Sequence, residues 1–117
     1  MATTILIVDD HPSFRVSARR ILEDAGYDVI GEAGDGHAGL EAARSLRPAV
    51  VLLDVQLPDL DGFEVAAQLV DADHPPAVVM TSSRDGTDFG GLVAHSGARG
   101  FLPKNELSGP ALAALLS

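Results

Sequence analysis

The sequence predicts an open α/β fold in which helices cover both faces of a five-stranded parallel sheet. Three observations carry this expectation. Short apolar runs alternate with segments of helical spacing across connections of a few residues, the pattern of repeated β–α units. Ile5, Leu6, Ile7 and Val8 form an unbroken apolar run, as a strand covered on both faces requires. A chain of 117 residues that is 46% apolar reads as one domain, residues 1–117, with enough apolar side chains for a core.

The elements follow in order. The first strand, β1, covers residues 4–8. The next segment, α1, has Pro12 near its start and places Phe14, Ala18, Ile21, Leu22 and Ala25 at helical spacing before Gly26 closes it. Residues 28–33 make a weaker strand, β2, and residues 36–46 a helix, α2, stopped by Pro48. The run 49–53 is β3. Asp61 and Glu64 form an Asp-x-x-Glu capping box for α3, which extends to about Val70. Residues 77–80 are β4. The segment 88–96, α4, contains Gly90 and Gly91 and is a poor helix by propensity, which makes it the element expected to be most mobile. Residues 100–103 form β5 and 107–116 form α5. A last helix of about ten residues ending at Ser117 leans toward a chain truncated from a longer one.

Four of these strands deliver polar side chains where the apolar run stops: Asp9 and Asp10 after β1, Asp54 after β3, Thr81 and Ser82 after β4, and Lys104 after β5. In an open parallel sheet the carboxyl ends of the strands share one edge, and sites form there. Three carboxylates meeting in a shallow crevice repel one another by ~4 kcal/mol per pair at about 4 Å and an effective dielectric near 20. A divalent cation relieves that conflict. Hard oxygen donors, with no Cys and no His pair on one helix face, favour Mg²⁺, which bridges protein carboxylates to phosphate. A carboxylate can act as the nucleophile that forms an aspartyl phosphate, and a hydroxyl with a Lys supplies what the phosphate oxygens then need.

Composition narrows the function classes. A net charge of −9 argues against this chain gripping a nucleic-acid backbone, so any DNA binding would belong to another segment. Zero cysteines exclude a disulfide scaffold, Met-Ala-Thr-Thr is no signal peptide, and no apolar run approaches a membrane span. The expectation is a soluble cytoplasmic domain that binds no membrane.

With these residues in view, the chain resembles the receiver domain of two-component response regulators. The matching segments are Ile5-Leu-Ile-Val-Asp-Asp10, Val51-Leu-Leu-Asp54 with Leu57-Pro58-Asp-Leu-Asp61-Gly62, Val78-Val-Met-Thr-Ser82, and Gly97-Ala-Arg-Gly-Phe101-Leu-Pro-Lys104. They span nearly the whole chain in the family's order. His11-Pro12 and the serines after Thr81 look most like the branch often linked to a C-terminal helix-turn-helix. The resemblance implies a flavodoxin-like sheet of strand order 2-1-3-4-5 and a phosphoprotein of the phosphorelay type. Asp54 would be the phosphoacceptor, served by a sensor histidine kinase or phosphotransfer protein. It implies Mg²⁺ held by Asp10, Asp54 and the Gln56 backbone carbonyl, with Asp9 acting mainly through a metal-bound water. It further implies Thr81 and Lys104 as partners of the phosphoryl group, and Phe101 as a switch aromatic coupled to Thr81. The output surface would be the α4–β5–α5 face, through which two copies can pair. Such a domain catalyses its own phosphorylation and dephosphorylation and is not a turnover enzyme.

The chain departs from the commonest family pattern at two places. Many receivers carry Pro after the Lys with a cis bond between them. Here Asn105 follows, and a cis bond without proline would cost ~2.5–4 kcal/mol, so a trans bond is expected. Gln56 and Ser83 occupy positions that in the family tune access of water to the aspartyl phosphate.

Taken singly, each site residue has a plainer reading: Asp10 as a helix cap, Lys104 as a surface lysine, Thr81 as a strand-end hydroxyl and Phe101 as a core aromatic. Together at the strand ends of one sequence, they point to a site. Asp59 and Asp61 read as turn and cap residues. His11, His37, His74 and His95 lack metal-ligand spacing and read as surface or helix-end residues. A phosphatase of the haloacid-dehalogenase type wants a second acid where Gln56 stands, and an EF-hand over residues 54–65 fails at Pro58 and Asp59. The remaining alternative is a receiver-fold protein-interaction module that works without phosphorylation.

Overall fold

The computed structural model describes residues 2–83, 89 and 91–117. Its elements are β1 (Thr4–Val8), α1 (Pro12–Asp24), β2 (Asp28–Ala33), α2 (Gly36–Leu46), β3 (Val50–Asp54), α3 (Gly62–Val70), β4 (Ala77–Ser82), α4 (Leu92–His95), β5 (Gly100–Pro103) and α5 (Gly109–Leu116), with a 3₁₀ turn at Lys104–Glu106. The five strands form one parallel sheet of order β2-β1-β3-β4-β5, as expected. Among the described residues, no helix is long and apolar enough to cross a membrane.

Side chains that alternate along each strand divide the core into two compartments. Ile5, Ile7, Val50, Leu52 and Val79 face one way and pack with Ala18 and Leu22 of α1 and Leu112 of α5. Leu6, Val8, Val51, Leu53, Val78 and Met80 face the other and pack with Val65, Ala66 and Leu69 of α3 and with Leu40 and Ala43 of α2. β5 is an edge strand, which accommodates the missing N–H of Pro103.

Element ends differ from the sequence expectation where local hydrogen bonds decide them. β3 takes in Asp54 and β4 takes in Thr81 and Ser82, because Asp54 and Thr81 form a further rung between the two strands. α1 stops at Asp24, and Gly26 turns the chain at φ +95°, a left-handed value that favours glycine. Asp61 caps α3 by accepting from the Phe63 N–H at 2.7 Å, not from that of Glu64, so the cap closes one residue earlier than a capping box would. α5 starts two residues late, because Ser108 accepts from the Ala111 N–H at 3.1 Å and Leu107 stays extended and buried. Of the expected helix over 88–96, Leu92–His95 is α-helical with Gly91 as its N-cap, and Asp88 and Gly90 lie outside the described residues.

Candidate functional site

β1 ends in Asp9, which is almost sealed from solvent, while Asp10 is about one-third exposed. Pro12 disfavours helical backbone at the residue before it, and His11 is extended at φ −100° and ψ 105°. The His11 N–H consequently donates to Asp9 Oδ1 at 2.8 Å, and the imidazole Nδ1 lies 3.1 Å from the same oxygen and 3.0 Å from Asp10 Oδ1. Arg15 Nη1 of α1 donates to the Asp9 carbonyl and its Nε to Glu32 of β2 at 3.2 Å, which ties the β1 end to its neighbours.

Asp54 ends β3, 3% exposed, beside Thr81 in register. Its Oδ1 accepts from the Gln56 N–H at 3.0 Å and its Oδ2 from Lys104 Nζ at 3.0 Å. Gly62 makes this corner possible. A Cβ there would collide with the Asp54 carbonyl and lie 2.7 Å from Val55 Cα, so only glycine lets α3 start this close to the end of β3. Thr81 is fully buried, and its Oγ1 finds no hydrogen-bond partner among the described residues.

Lys104 reaches the carboxylates from the far edge of the sheet. Its bond to Asn105 is trans, and the 3₁₀ turn sends the side chain back over the edge. Nζ then sits 2.7 Å from Asp9 Oδ2, 3.0 Å from Asp54 Oδ2 and 4.6 Å from the centre of the Phe14 ring. Phe14, read from the sequence as a core residue of α1, therefore also offers a ring face to the ammonium.

The electrostatics show a site short of positive charge. Burial pushes the Asp54 carboxyl above its usual range and Asp9 adds to the push, which the Gln56 N–H and the Lys104 ammonium oppose only in part. Burial works against the Lys104 ammonium too, but the hydrogen bonds and charges of Asp9 and Asp54 outweigh it and raise its pKa, so the group stays protonated.

The strand order thus brings together Asp9, Asp10, Asp54, Thr81 and Lys104. Gln56 joins through its N–H and forms an isolated bridge with Asp61. Phe101 lies one register position from the Thr81 rung, opposite Met80, and its ring is 5.5 Å from that of Phe89, which is 5.7 Å from Phe63. Two features escaped the sequence reading. His11 is a surface and helix-end residue as expected, yet its ring points into the acidic cluster. Asp59 caps α2 from a distant loop, accepting from the Gly36 N–H at 2.7 Å and the His37 N–H at 2.9 Å, with His37 Nδ1 at 2.6 Å. A His directly after two strand-end aspartates, held extended by Pro12, was the available signal for the first; the second has no local signal.

Ligand atoms of Asp9, Asp10, His11 and Asp54 all lie within 4.8 Å of one another. Clustered carboxylates, a raised Asp54 pKa and a buried hydroxyl unpartnered among the described residues suit a divalent cation together with an anionic group.

Comparison with known proteins identifies the family. The family model described as response regulator receiver domain matches residues 5–115. The chain is 40% identical over 106 residues to BvgA of Bordetella pertussis, named as a transcription regulator of virulence factors, covering 91% of this chain and 51% of that protein. It is 38% identical over 121 residues to a protein-glutamate methylesterase/protein-glutamine glutaminase of Lawsonia intracellularis, covering 98% of this chain and 34% of that protein. The chain thus spans about half or less of the curated relatives it matches. Among solved structures, the signal receiver domain of the response regulator NarL from Mycobacterium tuberculosis superposes with a TM-score of 0.87 at 33% identity, covering 99% of this chain and 98% of that one. The strand order, the strand-end site and a family model that runs nearly end to end make this chain a member of the response regulator receiver domain family of two-component signalling.

Proposed function

We propose that the chain, residues 1–117, works as one phosphoacceptor unit: Asp54 takes a phosphoryl group from the phosphohistidine of a sensor histidine kinase or phosphotransfer protein in the cytoplasm. The observation that carries this reading is the Asp54 carboxylate held 3.0 Å from the Lys104 ammonium, beside the buried Thr81 hydroxyl, which has no hydrogen-bond partner among the described residues.

An Asp54 carboxylate oxygen attacks phosphorus, the phosphorus–nitrogen bond of the donor breaks, and the departing imidazole takes up a proton from solvent. The Gln56 N–H and Lys104 hold the carboxylate in place before attack. Formation of the acyl phosphate, a mixed anhydride, removes the carboxylate charge, and the transferred group brings its own charge on the phosphoryl oxygens, so the Lys104 ammonium follows it there. Thr81 supplies a hydroxyl donor that has no hydrogen-bond partner among the described residues. Asp9, Asp10, Asp54 and the Gln56 carbonyl would hold Mg²⁺, with Asp9 acting through water, and the bound ion would supply positive charge to offset that of the phosphoryl oxygens. Movement of Thr81 toward the phosphate frees space for Phe101 to turn inward. The aromatic row of Phe63, Phe89 and Phe101 supports an output surface on the α4–β5–α5 face, where two copies can pair. The loop after Thr81 falls on residues 84–88, outside the described residues.

The test is phosphate incorporation from acetyl phosphate, read by intact mass. One phosphoryl group is expected on the wild type with Mg²⁺, and none after chelation or in Asp54→Ala. Labelling that persists in Asp54→Ala, on Ser82 or Ser83 for instance, would overturn the assignment. No incorporation under any condition would favour an interaction module that works without phosphorylation.

A further inference from the structure

We propose that His11 is itself a metal ligand, so that the cluster is a mixed nitrogen–oxygen site open to first-row transition cations such as Mn²⁺ and Ni²⁺ as well as Mg²⁺. This rests on the reading that the carboxylates hold a divalent cation.

The first support is the spacing of the donor atoms. His11 Nδ1 lies 3.1 Å from Asp9 Oδ1, 3.0 Å from Asp10 Oδ1 and 3.9 Å from Asp54 Oδ2. Around a six-coordinate ion with ligands at about 2.1 Å, neighbouring donors stand about 3.0 Å apart and opposite donors about 4.2 Å. The first two separations match octahedral edges, and the third approaches the diagonal. His11 Nδ1 and Asp10 Oδ1 therefore have the spacing of two neighbouring corners of a coordination shell, while Asp9, which would act through water, lies at hydrogen-bond distance from the same nitrogen.

The second support is that the ring does not serve the helix it precedes. His11 is the N-cap residue of α1, but its side chain makes no capping hydrogen bond, and it is 62% exposed. Among the described residues, the polar contacts of the ring are the three carboxylates, Asp9 Oδ1 being hydrogen-bonded to it, and Lys104 Nζ at 3.3 Å. The backbone conformation that aims it inward is enforced by Pro12. The third support is the buried Thr81 Oγ1 on the rung beside Asp54, unpartnered among the described residues, which independently marks this crevice as a place for a bound group.

Lys104 does not compete as a donor. Its two carboxylate partners keep it an ammonium, with no lone pair to offer. His11 is then the nitrogen ligand of the described cluster. Imidazole adds little affinity for Mg²⁺, which prefers oxygen, and much for later first-row cations, whose affinities rise from Mn²⁺ to Ni²⁺. The imidazole thus sets which cations the site accepts, while the carboxylates hold whichever one is bound.

The experiment uses the folded chain labelled with ¹⁵N at histidine only, loaded with Mn²⁺ about one pH unit above the ordinary histidine pKa. Pulsed electron paramagnetic resonance should show ¹⁵N coupling from a directly bound imidazole in the wild type and none in His11→Gln. Ni²⁺ affinity should fall about tenfold or more in His11→Gln, while Mg²⁺ affinity stays within about threefold. Bound Mn²⁺ without histidine coupling, or coupling that survives in His11→Gln, overturns the proposal and leaves an all-oxygen site. If neither Mn²⁺ nor Mg²⁺ binds the wild type, the cation reading beneath it fails as well. The spectrum of the wild type alone decides the main point, whatever the variant's stability.

Discussion

Asp54 sits in a place that favours the neutral acid. It is 3% exposed, a second carboxylate faces it, and its pKa is raised by burial first and by Asp9 next, despite Lys104 and the Gln56 N–H. A carboxyl whose folded pKa lies above its unfolded value weakens the fold at neutral pH, because ionisation is easier in the unfolded chain. Asp54→Asn keeps the shape and removes the charge, while Lys104 keeps Asp9 at 2.7 Å. Its melting temperature in chelator at pH 7 should therefore exceed that of the wild type by several degrees. A lower melting temperature would show that the Lys104 pair outweighs the burial of the carboxylate.

Between elements, Asp59 does more than the turn residue its sequence context suggests. It joins the β3–α3 loop to the first turn of α2, where unpaired N–H groups and the helix dipole welcome a carboxylate. The His37 N–H, then the Gly36 N–H and the His37 ring, hold the Asp59 carboxyl far below the usual carboxylate range. A depressed folded pKa gives stability that is complete above the unfolded value near pH 4 and declines as pH falls toward the folded value. Asp59→Ala should lower the melting temperature by several degrees at pH 7, and the gap from wild type should narrow steadily between about pH 4 and pH 2. A gap independent of pH over that range would mean that packing by Leu60 against Gly36, not charge, joins the loop to the helix. This contact also shows which features a sequence discloses. Strand ends were legible because an apolar run that stops at a charge is a local event, as at Val8 with Asp9 and Leu53 with Asp54. Asp59 was not, because its partners lie 22 and 23 residues away. The reach of Lys104 was legible only as a resemblance, since it depends on a 3₁₀ turn after β5 and on the Phe14 ring from the other end of the chain. The inward aim of the His11 ring was not legible, because metal-spacing rules look for pairs on one helix face, whereas this ring meets its neighbours at a strand–helix corner.

Across the molecule, the sheet order places β1 and β3 at the centre and brings the late strands to one side. The site collects Asp9 and Asp10 from β1, Asp54 from β3, Thr81 from β4 and Lys104 from the turn after β5, so its members are 9 to 104 positions along the chain. Side-chain alternation supports it from beneath on both faces, with Ile7 and Leu52 toward α1 and α5 and Val8 and Leu53 toward α2 and α3.

Because that edge exists only when all of these strands are paired, a partly folded chain offers a cation no comparable place. Mass action then turns occupancy into folding free energy: a cation at about 100 times its dissociation constant adds ~2.7 kcal/mol to the native state. The urea midpoint should rise with Mg²⁺ concentration in the wild type, with an unchanged slope, and stay flat in Asp54→Asn. A wild-type midpoint that ignores Mg²⁺ would separate folding from occupancy. If the cluster holds a cation as proposed, the same linkage would make the ambient divalent-cation level a determinant of how much of this chain is folded, and so of how much escapes proteolysis before any signal arrives.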